Sequence, residues 1–174
     1  MAHAALTHQS RPFLPGAHVP LARLPVLTQL ADFQRALNEQ FDSCRHGARY
    51  RPGLALRRLR SGVELLCRVQ EELLHPALSA SRLEAWPELG LAMASVEALR
   101  DLASLDAVRG DAEQLALVAL LEGLVQLQFV SLDELLAQTD ATPMPWQALA
   151  LETETALQHW QAGRRDVEEL YALN

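Results

Sequence analysis

The chain has 174 residues, enough for one domain with a full hydrophobic core. Hydrophobic residues make up 49% of it and aromatics only 5%, which favours helices over sheets because β-branched and aromatic residues dominate strands. The net charge of −7 argues against a general nucleic-acid binder.

The charge is unevenly spread. All fifteen basic residues are arginine. Residues 1–70 hold ten of them against four acids (Asp32, Glu39, Asp42, Glu64), and residues 71–174 hold five against eighteen acids. The opening MAHAALTHQSRPFLPG has no apolar signal core. No stretch reaches about 18 uncharged apolar residues, so no membrane span is expected and the cytoplasm is the expected compartment.

Residues 1–27 carry Pro12, Pro15, Pro20 and Pro25, and read as an irregular arm. Thr28 is a suitable cap for a first helix over 29–46, with Leu30, Phe33, Leu37, Phe41 and Cys44 as its apolar stripe. Pro52 opens a second helix over 52–75, and Pro76 marks its end. Residues 79–86 form a connection. Pro87 opens a third helix over 87–108, closed by Gly110. Asp111 with Gln114 resembles a capping box for a fourth helix over 112–138, which the run DATPMP breaks. A fifth helix follows over 146–162, with Gly163 separating it from a last piece, 164–172.

The expected fold is therefore all-α. An up-and-down four-helix bundle over 28–138 lies between an arm, 1–27, and a C-terminal helical extension, 139–174, packed on the bundle. The fourth helix is apolar nearly all round; between Gln114 and Asp133 its only charge is Glu122. Such a helix is central, or is covered by the fifth helix or a second subunit.

Two stripes carry one amide each. Leu59, Val63, Leu66, Gln70, Leu73 and Ala77 mark the second helix; Leu117, Leu121, Leu124, Gln128, Leu132 and Leu135 mark the fourth. A buried amide without partners costs about 1–3 kcal/mol. Gln70 and Gln128 should then meet each other, a water or a polar group at mid-height, unless a small register shift leaves either at the stripe edge.

The stretch CRVQEELLHPAL, together with QLQFVSLDELL, resembles the hemerythrin-like (HHE cation-binding) family. The resemblance implies a four-helix bundle with H-x-x-x-E in its second and fourth helices and single histidines in its first and third. In that family these residues hold a non-haem di-iron centre that binds or senses oxygen. Aligned on Pro76, the second-helix positions fall on Leu66 and Gln70; a one-residue shift gives Cys67 and Glu71. The fourth-helix pair falls on Gln128 and Leu132, the third-helix histidine near Val96, and the first near Leu37, or Gln40 in another register. None of these is a ligand in the preferred register, and no H-x-x-x-E pair occurs in the chain. Leu, Val and neutral amides cannot replace imidazole and carboxylate around iron. No catalytic, cofactor-binding or metal site is expected, and the preferred reading is a non-enzymatic interaction or regulatory module that has lost its metal.

Rival readings stay open. An atypical metal site, with non-haem iron as its cofactor, would draw on Glu71, Glu72, Asp133, Glu134 and His75. A small apolar ligand could occupy the bundle centre. Glu72-Leu73-Leu74-His75 has the E-x-x-H spacing of ferritin-like di-iron bundles, but occurs once, and His75 reads more simply as a surface or cap residue. Arg45, Arg49, Arg51, Arg57, Arg58 and Arg60 could bind an anion or acidic partner; a solvated helix end facing the chain's own acidic half is the simpler account. Cys44 lies near a helix end and Cys67 about 22 Å along the next helix, so free buried thiols are expected. A protein partner or a homodimer through the fourth or fifth helix is plausible; nucleic acid and membrane are not expected partners.

Overall fold

A computed structural model describes residues 23–46, 52–80, 87–105, 110–137, 139 and 144–172. Helix α1 spans Leu24–His46, α2 Pro52–Arg68, and a π-helical segment Val69–Leu74 leads into α3, His75–Ala80. Helix α4 spans Pro87–Ala103, α5 Asp111–Ala137 and α6 Trp146–Ala172. The described residues are all helix and connection, with no strand.

Helix α1 begins five residues before the expected position. Pro25 sits in its first turn, where a missing N–H costs nothing. Thr28 is consequently inside the helix, and its hydroxyl donates back to the Leu24 carbonyl at 2.9 Å instead of capping. The expected stripe is buried as read: Leu30, Phe33, Leu37, Phe41 and Cys44 all face the core. Residues 1–22 of the expected arm lie outside the described residues, as do Arg49 and Arg51 of the arginine cluster.

Pro76 does not end the second helix. Helical backbone continues through it to Ala80. Proline inside an α-helix removes one hydrogen bond and presses its ring on the preceding turn. Here the preceding turn is the wider π form, in which the His75 N–H donates to the Gln70 carbonyl, five residues back. The π turn also carries one extra residue relative to α-helical register. The inward stripe runs Leu59, Val63, Leu66, Gln70 as expected, then shifts to Leu74, His75 and Leu78. Leu73 and Ala77, expected inward, are only half-buried, and His75, expected at the surface, is 3% exposed.

Helices α1, α2, α4 and α5 form a closed ring of contacts, each touching the next. Helix α6 lies against α1, α2 and the π segment. Its backbone runs unbroken past Gly163, contrary to the expected interruption. A glycine inside a helix costs about 1 kcal/mol relative to alanine, too little to break it. Trp146, Leu149, Thr153 and Trp160 bury one face of α6. Trp160 meets Phe33 edge-on, with centroids 5.3 Å apart, and Phe33 meets Phe129 likewise at 6.5 Å. This aromatic chain ties α6 through α1 to α5. One continuous core cluster draws on α1, α2, the π segment, α3, α4, α5 and α6.

Candidate functional site

Every side chain placed by the family resemblance in its preferred register lies in the core. Leu37, Leu66 and Val96 have no exposure, and Gln70, Gln128 and Leu132 have 1%. These are four aliphatic side chains and two amides. The two amides are interior, not at the stripe edge, but they do not pair with each other. Gln128 Nε2 donates to the Ser95 hydroxyl on α4. Gln70 Nε2 and Gln128 Oε1 have no partner among the described residues. Gln40, the alternative first-helix position, is also buried, with both amide atoms unpartnered.

The residues of the atypical metal reading are dispersed. Glu72 is exposed and pairs with Arg68 at 3.3 Å. Asp133 and Glu134 lie exposed near the end of α5, where partial burial pushes the Asp133 carboxyl above its ordinary range. Only Glu71 and His75 share a site. Among the described residues no three His, Cys, Asp or Glu side chains stand close enough to hold a metal ion.

The shared site of Glu71 and His75 is a cleft of about 600 Å³ between the π segment, α3 and α4. It is lined by Glu71, His75, Pro76, Ser79, Met93, Ala94, Glu97 and Arg100. Arg100 forms an ion pair with Glu71 across it. Neither ring nitrogen of His75 has a partner among the described residues. Burial lowers the His75 pKa, against the opposing pull of Glu71, so the imidazole is held neutral. Reading the sequence as a regular α-helix missed this residue. Pro76, directly after it, was the available signal, since a helix that continues through proline needs a local distortion.

The arginine cluster is largely turned onto the protein itself. Arg45 pairs with Asp42 at 3.3 Å and with Glu122 of α5. Arg60 donates to the Leu105 carbonyl, and Arg57 to the Gly53 carbonyl at 3.2 Å. Cys44 and Cys67 are buried free thiols, each pushed up to about 11 by burial, which leaves them as thiols at neutral pH. Cys67 donates to the Val96 carbonyl at 3.8 Å.

The other prominent feature is the outer side of α5. Leu117, Leu121, Gln128, Leu132 and Leu135 face inward as expected, whereas Leu124 of the expected stripe is only half-buried and Val125 is buried beside it. At 3.6 residues per turn, Ala116, Leu120, Gly123, Leu127 and Val130 fall on the opposite side, and all five are exposed. Leu120 is 60% exposed, Leu127 50% and Val130 56%. The stripe is bounded by Asp111 and Glu113 at one end and Asp133 and Glu134 at the other. By length and composition alone α5 could also cross a membrane, Glu122 notwithstanding, although 39% of its apolar window is buried in the protein.

No protein-family model, curated protein or solved structure matches the chain. The likeness to hemerythrin-like proteins thus rests on helix order and on the residue patterns of 67–78 and 126–136.

Proposed function

We propose that the chain is a non-enzymatic interaction module: an up-and-down, hemerythrin-like four-helix bundle without its di-iron ligands, extended by α6. The ring of α1, α2, α4 and α5 and the burial of all six ligand positions support the bundle part of this reading. The observation that carries the interaction part is the exposed apolar stripe of α5, directly opposite the helix's buried face. Contiguous exposed apolar surface on a folded protein marks a contact site more often than scattered apolar residues do.

Charge selects the partner. Acidic residues bound the stripe at both ends, so a second copy laid along it would bring acid against acid in either direction. A partner helix with an apolar face and basic flanks fits instead. The test is titration of the whole chain with a synthetic amphipathic Leu/Arg helical peptide, followed by fluorescence anisotropy. Saturable binding is expected, and Leu127→Glu with Val130→Glu should weaken it by roughly a hundredfold. Both positions are exposed, so melting should be unchanged. Binding that survives this double substitution, or no binding at all, overturns the reading.

A further inference from the structure

We propose that α4 and α5 together form a seam for one partner helix, which carries an apolar heptad repeat about two repeats long with basic residues at both ends. The proposal rests on the α5 contact face and adds α4 to it. The two sides of that face differ. On its α1 side α5 is closed by polar pairs: Gln126 donates to Asn38 at 2.9 Å, and Glu122 pairs with Arg45. On its α4 side Gln128 donates to the Ser95 hydroxyl. Leu124 and Ser131 lie one turn to either side of Gln128 and are half-buried. Leu91 and Ala98 lie one turn to either side of Ser95 and are exposed, Leu91 at 70%. The apolar surface therefore crosses from α5 onto α4 and stops at α1.

The positions bordering this seam alternate in steps of three and four. On α5 they are Leu117, Leu120, Leu124, Leu127 and Ser131; on α4 they are Leu91, Ser95, Ala98 and Leu102. Half-buried Ser95, Leu102, Leu124 and Ser131 form the floor, and exposed Leu91, Ala98, Leu120 and Leu127 stand above it. Such steps keep side chains on one line along a helix, and they accept a partner at the shallow angle of a left-handed coiled coil. The longer row covers roughly 20 Å at ~1.5 Å per residue, the span of two heptads.

The molecule already holds one helix in this way. Helix α6 lies against α1, α2 and the π segment. Its buried or half-buried row, Trp146, Leu149, Thr153, Ala156 and Trp160, steps three, four, three, four. Among the described residues nothing covers the α4–α5 pair likewise, and Leu91, Leu120 and Leu127 stay at least half exposed. A helix of the same pattern fits the open pair. Charge sets that helix apart from the α6 of a second copy. Helix α6 carries exposed Glu152 and Glu154, whereas Asp111 at one end of the seam and Asp133 and Glu134 at the other favour basic flanks.

The test uses the whole chain and two end-capped peptides of one composition. The first has two heptads with leucine at a and d, alanine and glutamine elsewhere, and two arginines at each end. The control spreads the same leucines round the helix. Binding is followed by fluorescence anisotropy. The heptad peptide should bind saturably, and the control at least roughly tenfold more weakly. Leu91→Gln with Ala98→Gln should weaken the heptad peptide by roughly tenfold. Both changes are neutral and at exposed positions, so attraction to the arginines and the melting temperature should both be unchanged. Ala119→Gln, exposed one turn before Glu122 on the α1 side, should leave binding intact. Binding that falls with the α5 double substitution but ignores the α4 pair would overturn the seam and leave the α5 contact face standing. Equal binding of the control peptide, loss of binding with Ala119→Gln, or a dimer of the chain that the α4 pair dissociates would also overturn the seam. No binding of the heptad peptide would remove both readings.

Discussion

At the scale of single residues, two positions concentrate the packing argument. Gly62 lies where α1, α2 and α6 converge. A Cβ built there would stand 2.6 Å from Leu37 Cδ2, 3.0 Å from Trp160 Cζ2 and 3.3 Å from Gln40 Oε1. Leu37 has no exposure, so it has nowhere to retreat. Gly62→Ala gains helix propensity of about 1 kcal/mol but overpacks this junction, which costs about 1–3 kcal/mol. The expected net is a loss of stability, read as a lower denaturation midpoint in urea; a raised midpoint would show that the three helices give way freely. His75 sets a pH dependence. Its folded pKa lies below the ordinary 6.5 because burial disfavours the charged ring. Above pH 6.5 both folded and unfolded states hold it neutral. As pH falls through 6.5 the unfolded chain takes up the proton first, so stability declines. Replacing His75 by leucine removes the titration and an unsatisfied polar group together. Urea melts of the variant should lose less stability between pH 7 and pH 5 than those of the parent protein. Parallel pH profiles for the two proteins would remove His75 as a cause.

At the scale of elements, the second helical run decides how far sequence reading carries. Stripes at alternating steps of three and four located the buried faces of α1 and α5 and the first half of α2, because aliphatic periodicity reports burial directly. They also placed Gln70 and Gln128 indoors. The reading failed from Leu73 onward, because periodicity assumes a constant turn and the π segment adds a residue. Constant periodicity therefore points to Leu73 and Ala77 as core residues, whereas Leu74 and Leu78 are the buried ones, and it leaves His75 at the surface. The exposed side of α5 was visible as excess apolarity, but composition alone cannot say whether a neighbour covers it. The extra residue makes a testable claim about the backbone. Deleting the exposed Glu72 should let the segment relax to regular α-helix with both flanks in register. Thermal stability should then change by no more than about 1 kcal/mol. Deleting the exposed Glu64 from the regular part of α2 has no such reserve. It would rotate Leu65, Leu66 and Cys67 off the core and cost more than about 3 kcal/mol. Equal damage from the two deletions would mean that the π turn is not a removable insertion.

At the scale of the molecule, the argument turns on what a metal centre would require of this bundle. Imidazole and carboxylate ligands must converge from several helices, and each needs hydrogen bonds to hold it. At Leu37, Leu66, Val96 and Leu132 this chain presents aliphatic groups with at most 1% exposure, and they join one core cluster. Burying them contributes about 1.5–3 kcal/mol each, stabilisation that charged ligands in an interior would forgo unless metal were bound. Gln70 and Gln128 can accept hydrogen bonds but are poor ligands for iron. At the periphery, Arg45–Glu122 joins α1 to α5 and sets the basic first part of the chain against its acidic remainder, while Arg100–Glu71 joins α4 to the π segment within that remainder, both without any ion. The fold is thus expected to be independent of metal. Protein purified without chelator should carry iron, zinc and manganese well below one atom per chain by plasma mass spectrometry. Its melting temperature should be unmoved by EDTA or by added ferrous iron under anaerobic conditions. Binding to the folded state alone would raise stability by about 2.7 kcal/mol at a hundredfold excess of metal over Kd, which such a chain would show as a shift of several degrees. Near-stoichiometric metal, a visible absorption band or a shift of that size would reinstate a metal centre and remove the basis for reading the bundle as an interaction module.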